Sequence, residues 1–569
     1  MASPEEAASG AEPFDVRELQ GRIDAVLERE HASWGVLVYS TGLGRDIAAH
    51  RPDTALVPAS NVKLFTALAS LLVSHVGPTR ALRTAAHVVD VPSDGTRASS
   101  GDAGREPRRR RAVCVHPCGD PGFTAEQLAE LVGGALEAAG VSADDVDPGR
   151  TRLGGDPWRD DGVPDTWEVG DLASDWAAPP SRAVLDRNVE SLWKRSGINT
   201  RRATAPGRPP LARFRDACRD AVRDAQTVTR RAFASDGSEE KETETEKETE
   251  IPCGLAPPAP PRRPFGVGVA SPLFEISARE ARFPDGWAIR DSAPVSAIAR
   301  AALRDSDNLC AEQLVRVCAG GRDSGRWLTS WSAVFCRKHC AGTAGPRAAS
   351  PARPGAVSDA VSDAVSDPEL RTSPAPARVR FVDGSGLSRH NLAPPRAFVA
   401  LFLSALEGAA REDAADAAFP TPNAGTDRSA RNPFAAFLDA LPETARDGAN
   451  GVRSSETAVE TSVERVEDRK DRKDRKDRET RASGTLGARL GDLRGVVRAK
   501  TGSMRGAAAL SGYFAPHACS RLGAVAFSVV ANNHASAAPD AAHRLRDALD
   551  EIVRLIDRAE VVREEGERP

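Results

Sequence analysis

Ser60 and Lys63 stand one helical turn apart in "PASNVKLFTA" (58–67), just ahead of an apolar run. At this spacing the two side chains share a helix face. A serine hydroxyl is a poor nucleophile at neutral pH and needs an adjacent base. A lysine serves as that base when burial or a neighbouring cation lowers its pKa. Leu64 and Phe65 beside Lys63, and the positive end of the helix dipole, push in that direction. The pair alone has a second reading, in which Ser60 caps the helix and Lys63 points to water. The same spacing recurs at Ser191/Lys194 and Ser238/Lys241. Ser238 lies in an acidic tract where nothing would desolvate a lysine, and Ser191 lacks a clean apolar helix behind it.

Two further motifs supply parts that the pair lacks. Ser306, Asp307 and Asn308 form the only Ser-x-Asn in the chain. A second hydroxyl can relay a proton towards a leaving group, and an amide can hold both the base and a substrate amide. Lys500, Thr501 and Gly502 form the only Lys-Thr-Gly, after the strand-like "GVVR". A strand edge with a glycine allows close backbone pairing. Lys500 adds positive charge that favours a neutral Lys63 and attracts a carboxylate. Arginine carries most of the positive charge in this chain, so lysine at both positions is a sharper signal.

The elements that must position these residues follow from hydrophobic patterning. "SWGVLVYSTGLGRDIAAHRP" (33–52) reads as strand, turn and strand, with the Ser60 helix next. "VCVHPCGDPGFTAEQLAELVGGALEAAGV" reads as a strand, a tight turn and an amphipathic helix. Helices resume past 285. Strand-like runs return in "GVVRAKTG", "AAALSGYFA" and "LGAVAFSVVAN", and the last helix carries Leu545, Leu549, Ile552 and Ile556 along one face. Strands at both ends around central helices predict an antiparallel sheet built from both termini.

With 569 residues, 40% hydrophobic and 28% charged, the chain suits a soluble protein of more than one folding unit. A formal net charge of −4 argues against nucleic acid or an anionic membrane as the main partner. No apolar run is long enough to span a bilayer. The acidic N-terminus lacks the basic and apolar regions of a secretory signal. Nine scattered cysteines make no compact disulfide framework. "CRKHC" (Cys336, His339, Cys340) offers metal ligands but no second matching pair, so loop or buried cysteines are expected there. The acidic tract within 236–262 has no apolar face, the Lys-Asp-Arg repeat within 449–483 is charged throughout, and the Val-Ser-Asp-Ala repeat within 341–376 is short and lies between Pro- and Arg-rich flanks. Ordering them would cost more than they can bury, so they are expected as solvated insertions.

The three motifs, in this order, resemble the penicillin-recognising serine acyltransferases. The long gap from Ser60 to Ser306 resembles the D-alanyl-D-alanine carboxypeptidase/endopeptidase family (peptidase S13, penicillin-binding protein 4 type). "GDPGFT" (119–124), "WAAPPSRAVLDRN" (176–188) and "DGSGLSRHNL" (383–392) resemble further segments of that family. "LPETARDG" (441–448) and "GTLGARL" (484–490) resemble two halves of one family stretch, split here just upstream of Lys500.

The resemblance implies an α+β fold: a transpeptidase/β-lactamase-like domain, its antiparallel sheet flanked by helices, with domains inserted between the first two motifs. The expected organisation is an N-terminal extension (1–28), a catalytic domain in two segments (29–85 and 285–569) and an inserted region (86–284). It implies Ser60 as the acylated nucleophile, Lys63 as its base, and Ser306 and Asn308 as the second-motif pair. Lys500 and Thr501 would bind the substrate's terminal carboxylate, and Gly502 would be a further substrate-binding residue. Arg389 matches a pocket arginine of the family, or else is a turn residue paired with a carboxylate. The backbone N–H of Ser60 and one just past the third motif would form the oxyanion hole. The implied activity is hydrolysis of D-Ala-terminated peptidoglycan peptides outside the cytoplasm, with β-lactams acylating the same serine and no metal or other cofactor. The absence of a visible leader stands against that compartment. Rival readings are another acyl hydrolase on the same scaffold (a D-aminopeptidase, esterase or β-lactamase) and a non-catalytic binding protein.

Overall fold

The computed structural model describes residues 16–73, 75–91, 110–155, 158, 162–172, 174–193, 199–203, 210–234, 286–340, 379–418, 432–444, 486, 489–490, 493, 497–516, 522–534 and 541–559. The acidic tract and both short repeats lie outside them.

The chain begins with α1 (Val16–Arg29), the hairpin β1 (Ser33–Ser40) and β2 (Arg45–His50), and α2 (Val62–Leu72). Then come β3 (Ala81–Val91), β4 (Arg110–His116), α3 (Ala125–Ala138), β5 (Arg152–Leu153), β6 (Val189–Trp193), β7 (Asn199–Ala203), α4 (Pro210–Ala234) and β8 (Trp287–Pro294). The remainder comprises α5 (Val295–Arg304), α6 (Asn308–Ala319), α7 (Ser324–Cys340), α8 (Pro395–Ala418), α9 (Pro433–Asp439), β9 (Val497–Met504), β10 (Ala507–Phe514), β11 (Val525–Asn532) and α10 (Ala541–Arg558).

The main sheet has the order β2-β1-β11-β10-β9, with every pair antiparallel. It draws strands from both ends of the chain, as the patterning predicts. Every residue of β10 and β11 is buried, so helices cover both faces of the sheet centre. On one face Leu19, Ile23 and Val26 of α1 and Leu549, Ile552 and Val553 of α10 pack on Val36, Val38, Phe527 and Val529. On the other, Leu37 and Tyr513 meet Phe398 and Phe402 of α8 in the same core as α2. Alternate strand residues therefore serve opposite cores. Residues 16–28, placed by the sequence in an extension, are part of the first core. Their apolar residues recur at helical spacing and fill the groove beside α10.

Apolar residues surround α2, and Val62 through Leu71 are all buried, which places this helix in the middle of the helical layer. It packs on α5, α6 and α9. Cys336 lies in this core, fully buried, while the side chains of 338–340 lie outside the described residues.

The inserted region has its own sheet, β5-β4-β3-β8, and a separate hairpin, β6-β7. Phe123, Leu128, Val132, Phe214 and Val222 form its core under α3 and α4. The chain enters through β3 and leaves through β8, which are antiparallel neighbours, with Ala81 opposite Pro294. Just outside that pair, Val295 N–H donates to Arg80 carbonyl at 2.8 Å. Strand pairing thus extends the unit a few residues beyond the expected 86–284 at each end.

Truncating Ile23 to alanine, at 0% exposure, should lower the unfolding free energy by about 2–5 kcal/mol in urea titrations. A solvated extension would give essentially no change.

Candidate active site

Residues 58–60 form a tight turn at the entry to α2. Asn532 holds the preceding residue from the end of β11, accepting from Val57 N–H at 2.6 Å and donating to Val57 carbonyl at 3.0 Å. Ala59 has φ +48°, a conformation that costs a non-glycine residue about 1–3 kcal/mol. Ser60 and Asn61 belong to a single 3-10 turn, and Asn61 precedes α2 without a side-chain cap. Asn61 instead donates to Ser511 Oγ at 2.8 Å, anchoring the turn to the sheet.

Lys63 is completely buried, which removes the surface-lysine reading. Its Nζ lies 3.0 Å from Ser60 Oγ, 2.6 Å from Asn308 Oδ1 and 2.6 Å from Ser385 carbonyl. Asn308 Oδ1 and the Ser385 carbonyl oxygen can only accept, so they occupy two N–H bonds. A neutral amine then has its lone pair left for the Ser60 hydroxyl proton. Burial lowers the lysine pKa from 10.5 to about 8, against the opposing pull of Asp383, Glu312 and Asp307. Leu64 and Phe65 are themselves fully buried and help enclose it.

Lys500 is also fully buried, and its Nζ donates to Ser306 Oγ at 3.0 Å and to Thr501 carbonyl at 2.8 Å. Burial first, and then repulsion from Lys63, push its pKa well below the usual lysine value. The repulsion between the two amines is mutual, so it disfavours charge on both at once. Ser306, the first residue of the second motif, has φ +56°.

Gly502 is needed for a reason the sequence did not reveal. A Cβ there would stand 2.6 Å from Pro58 carbonyl, so glycine lets β9 touch the serine turn. The segment 442–444 covers the outer edge of β9 from Val497 to Ala499, through Thr444 N–H to Val497 carbonyl and Ala499 N–H to Pro442 carbonyl.

The loop 383–392 closes the site from behind. Asp383 accepts from Gly386 N–H at 2.9 Å, Ser388 N–H at 2.7 Å, Asn391 Nδ2 at 2.8 Å and Trp167 Nε1 at 3.0 Å. Burial raises its pKa above the usual carboxylate range, and the charge of nearby Glu312 adds to that. Glu312 pairs with Arg316 one turn along α6 and accepts from the N–H groups of Gly384 and Ser385 at 3.0 and 2.8 Å. Those bonds aim the Ser385 carbonyl at Lys63. Gly386, at φ +85°, sits so near the serine turn that a Cβ would come within 2.0 Å of Ala59 carbonyl.

The inserted unit reaches the same place. Asn308 Nδ2 donates to Trp176 carbonyl at 2.8 Å, Gln313 Nε2 to Ser181 carbonyl at 2.7 Å, and Arg187 pairs with Asp307. Asp307 also caps α6 by accepting from Cys310 N–H at 2.9 Å. Arg389 pairs with Glu168 of the inserted unit and donates to Arg505 carbonyl. It thus has the carboxylate partner of its second reading, at the junction of the two units.

The structure sets Ser60 and Asn308 on Lys63 Nζ and Ser306 on Lys500 Nζ, two hydrogen-bonded groups whose amines repel each other, with Gly502 against the serine turn and Arg389 at the neighbouring junction. Sequence reasoning gave no role to Asp383, Glu312, Ser385, Trp167 or Arg187. A signal did exist for Glu312. Glu312 and Arg316 are an i,i+4 pair of opposite charges inside the largely apolar "LCAEQLVRVCA".

The D-Ala-D-Ala carboxypeptidase 3 (S13) family model matches residues 19–197 and 480–555. Among solved structures the chain is similar to penicillin-binding protein 4 (dacB) from Haemophilus influenzae. The identity is 15% and the TM-score 0.53, over 94% of this chain and 98% of that one. The same protein complexed with a novel β-lactam gives 15% and 0.49, over 95% and 99%. A predatory peptidoglycan endopeptidase from Bdellovibrio bacteriovorus gives 12% and 0.38, over 94% and 96%. The first likeness shows a shared penicillin-recognising α+β fold. A sequence comparison with curated proteins found no match.

Gly386→Ala should displace the 58–60 turn and slow acylation of Ser60 by labelled penicillin about 10²-fold, the scale of a 1 Å misplacement. Gly506→Ala, also at positive φ but with open space around it, should leave labelling nearly unchanged.

Proposed function

The chain belongs to the D-Ala-D-Ala carboxypeptidase (S13) family, and from that premise we propose that its buried serine–lysine cluster performs acyl transfer from D-Ala-terminated peptides. The observation that carries the reading is Lys63 Nζ, 3.0 Å from Ser60 Oγ with two acceptors on its other side. Neutral Lys63 takes the Ser60 proton as Oγ attacks the D-Ala–D-Ala carbonyl. The C–N bond breaks, D-alanine leaves with the transferred proton, and Ser60 holds the acyl group. Water then attacks the ester, releasing the shortened peptide and regenerating the serine. Ser306, within reach of Lys500 and one residue from Asp307, passes the proton to the leaving amine.

Lys500 and Thr501 receive the terminal carboxylate, whose negative charge restores the ammonium form that burial disfavours. The substrate backbone extends the β9 edge beyond the segment covered by 442–444. The Ser60 N–H and one past Gly502 stabilise the oxyanion. A β-lactam offers a strained amide and a carboxylate at a similar position, and acylates the same serine. Peptidoglycan as substrate implies action outside the cytoplasm.

Labelled penicillin should mark wild-type protein and fail to mark Ser60→Ala. An unlabelled wild type would sink the acyl-enzyme reading. Lys63→Ala should slow acylation by roughly 10²–10⁴-fold, the usual worth of a positioned base. D-alanine release from a D-Ala–D-Ala peptide separates a peptidase from an esterase.

The base must be uncharged to act, and its pKa is lowered to about 8. The acylation rate should therefore rise with pH, about tenfold per unit well below 8, and level off above it. A profile that is flat from pH 6 to 9 would remove Lys63 as the base.

A further inference from the structure

His87 on β3 and Cys114 on β4 are direct cross-strand partners, and His116 lies two residues along β4. All three side chains therefore project from one face of the inserted sheet, at the close approach typical of paired strands. This is the face opposite Val113 and Val115, which fill the core under α3. Their ligand-type atoms lie within 4.8 Å of one another, and Cys114 Sγ is 3.6 Å from His116 Nε2.

The Nδ1 atoms of both His87 and His116 are buried without a hydrogen-bond partner. Two adjacent imidazole nitrogens removed from water and left unpaired are costly, unless something else binds them. The cluster is also walled. Trp287 of β8 stacks on His87 with ring centroids 3.9 Å apart and on His116 at 5.1 Å. A Cβ on Gly154 would come within 2.0 Å of the His116 ring, so glycine makes room for that ring.

Two imidazoles and a thiolate are zinc-type ligands, and three of them leave one coordination position for water. Copper sites of this ligand set add a weak axial methionine. The chain's two methionines are Met1 and Met504, and Met504 ends β9 in the other sheet. We propose that His87, Cys114 and His116 bind one zinc ion that clips β3 to β4 in the inserted unit. Binding exchanges the Cys114 S–H bond for S–Zn and releases the proton to solvent, with no change of oxidation state. The ion braces the unit that supplies Trp167, Trp176 and Arg187 to the serine site. Linear spacing pointed only to Cys336, His339 and Cys340 as metal ligands, whereas these ligands meet through cross-strand register.

The test uses full-length protein stripped with a chelator and titrated with Co²⁺, then Zn²⁺. One Co²⁺ per chain should bind, giving visible d–d bands and a near-ultraviolet thiolate-to-cobalt band that Zn²⁺ abolishes. Cys114→Ser should lose the thiolate band. His87→Ala and His116→Ala should each weaken binding by more than roughly 100-fold, beyond the loss of a mere supporting partner. Penicillin labelling of each variant reports that the main sheet is folded. X-ray absorption of zinc-loaded wild type, which needs no variant, should show one sulfur and two imidazole ligands. No stoichiometric Co²⁺ binding, a thiolate band unchanged in Cys114→Ser, or a zinc shell without sulfur would each overturn the proposal.

Discussion

The structure depends on the burial of one amine. Lys63 sits in the central helix of the helical layer, without solvent contact, and everything around it makes that tolerable. A charged lysine moved out of water loses several kcal/mol of hydration unless it is paired and hydrogen-bonded. Here Asn308, Ser385 carbonyl and Ser60 accept around it, while Asp383 and Glu312 stand behind. The arrangement holds the amine between two demands. Removing water makes it a base, and the carboxylates keep it from being expelled. The neighbouring turn carries backbone strain at Ala59, and it is pinned by Asn532, Asn61 and the glycine contacts at positions 386 and 502.

Much of this was legible in the sequence. The order of the three motifs named the cluster, because each contributes a group that the others lack. The period-2 and helical patterns predicted strands at both termini, and the sheet has them. The limits have physical causes. Residues 16–28 were placed in an N-terminal extension, although Leu19, Ile23 and Val26 recur at core spacing. Gly502 was assigned to substrate pairing, yet its tight contact is with Pro58, which is hundreds of residues away in sequence. The role of Asp383 could not be foreseen either, since its donors come from its own loop and from Trp167 in the inserted unit. Such support depends on three-dimensional closure, which spacing does not encode.

The supporting shell also divides labour. Among the described residues, no hydrogen bond joins Glu312 to Lys63. Glu312 orients the N–H groups of Gly384 and Ser385, and so fixes the carbonyl that Lys63 meets. Arg316 compensates its charge one helical turn away. A buried ion pair of this kind adds little net stability, but removal of one partner leaves an uncompensated charge. Its value here is geometric.

The inserted unit leaves and rejoins the chain through hydrogen-bonded neighbours, β3 and β8. Topologically it is the loop of a very long hairpin, so sequence can be added to its interior without moving either end. Such a unit should grow freely over evolutionary time. It should not shrink to nothing, because the carbonyls of residues 176 and 181 and the side chains of Trp167 and Arg187 satisfy groups on α6 and the 383–392 loop. The insertion is modular in its wiring and indispensable in its chemistry, an asymmetry that permits elaboration and forbids deletion.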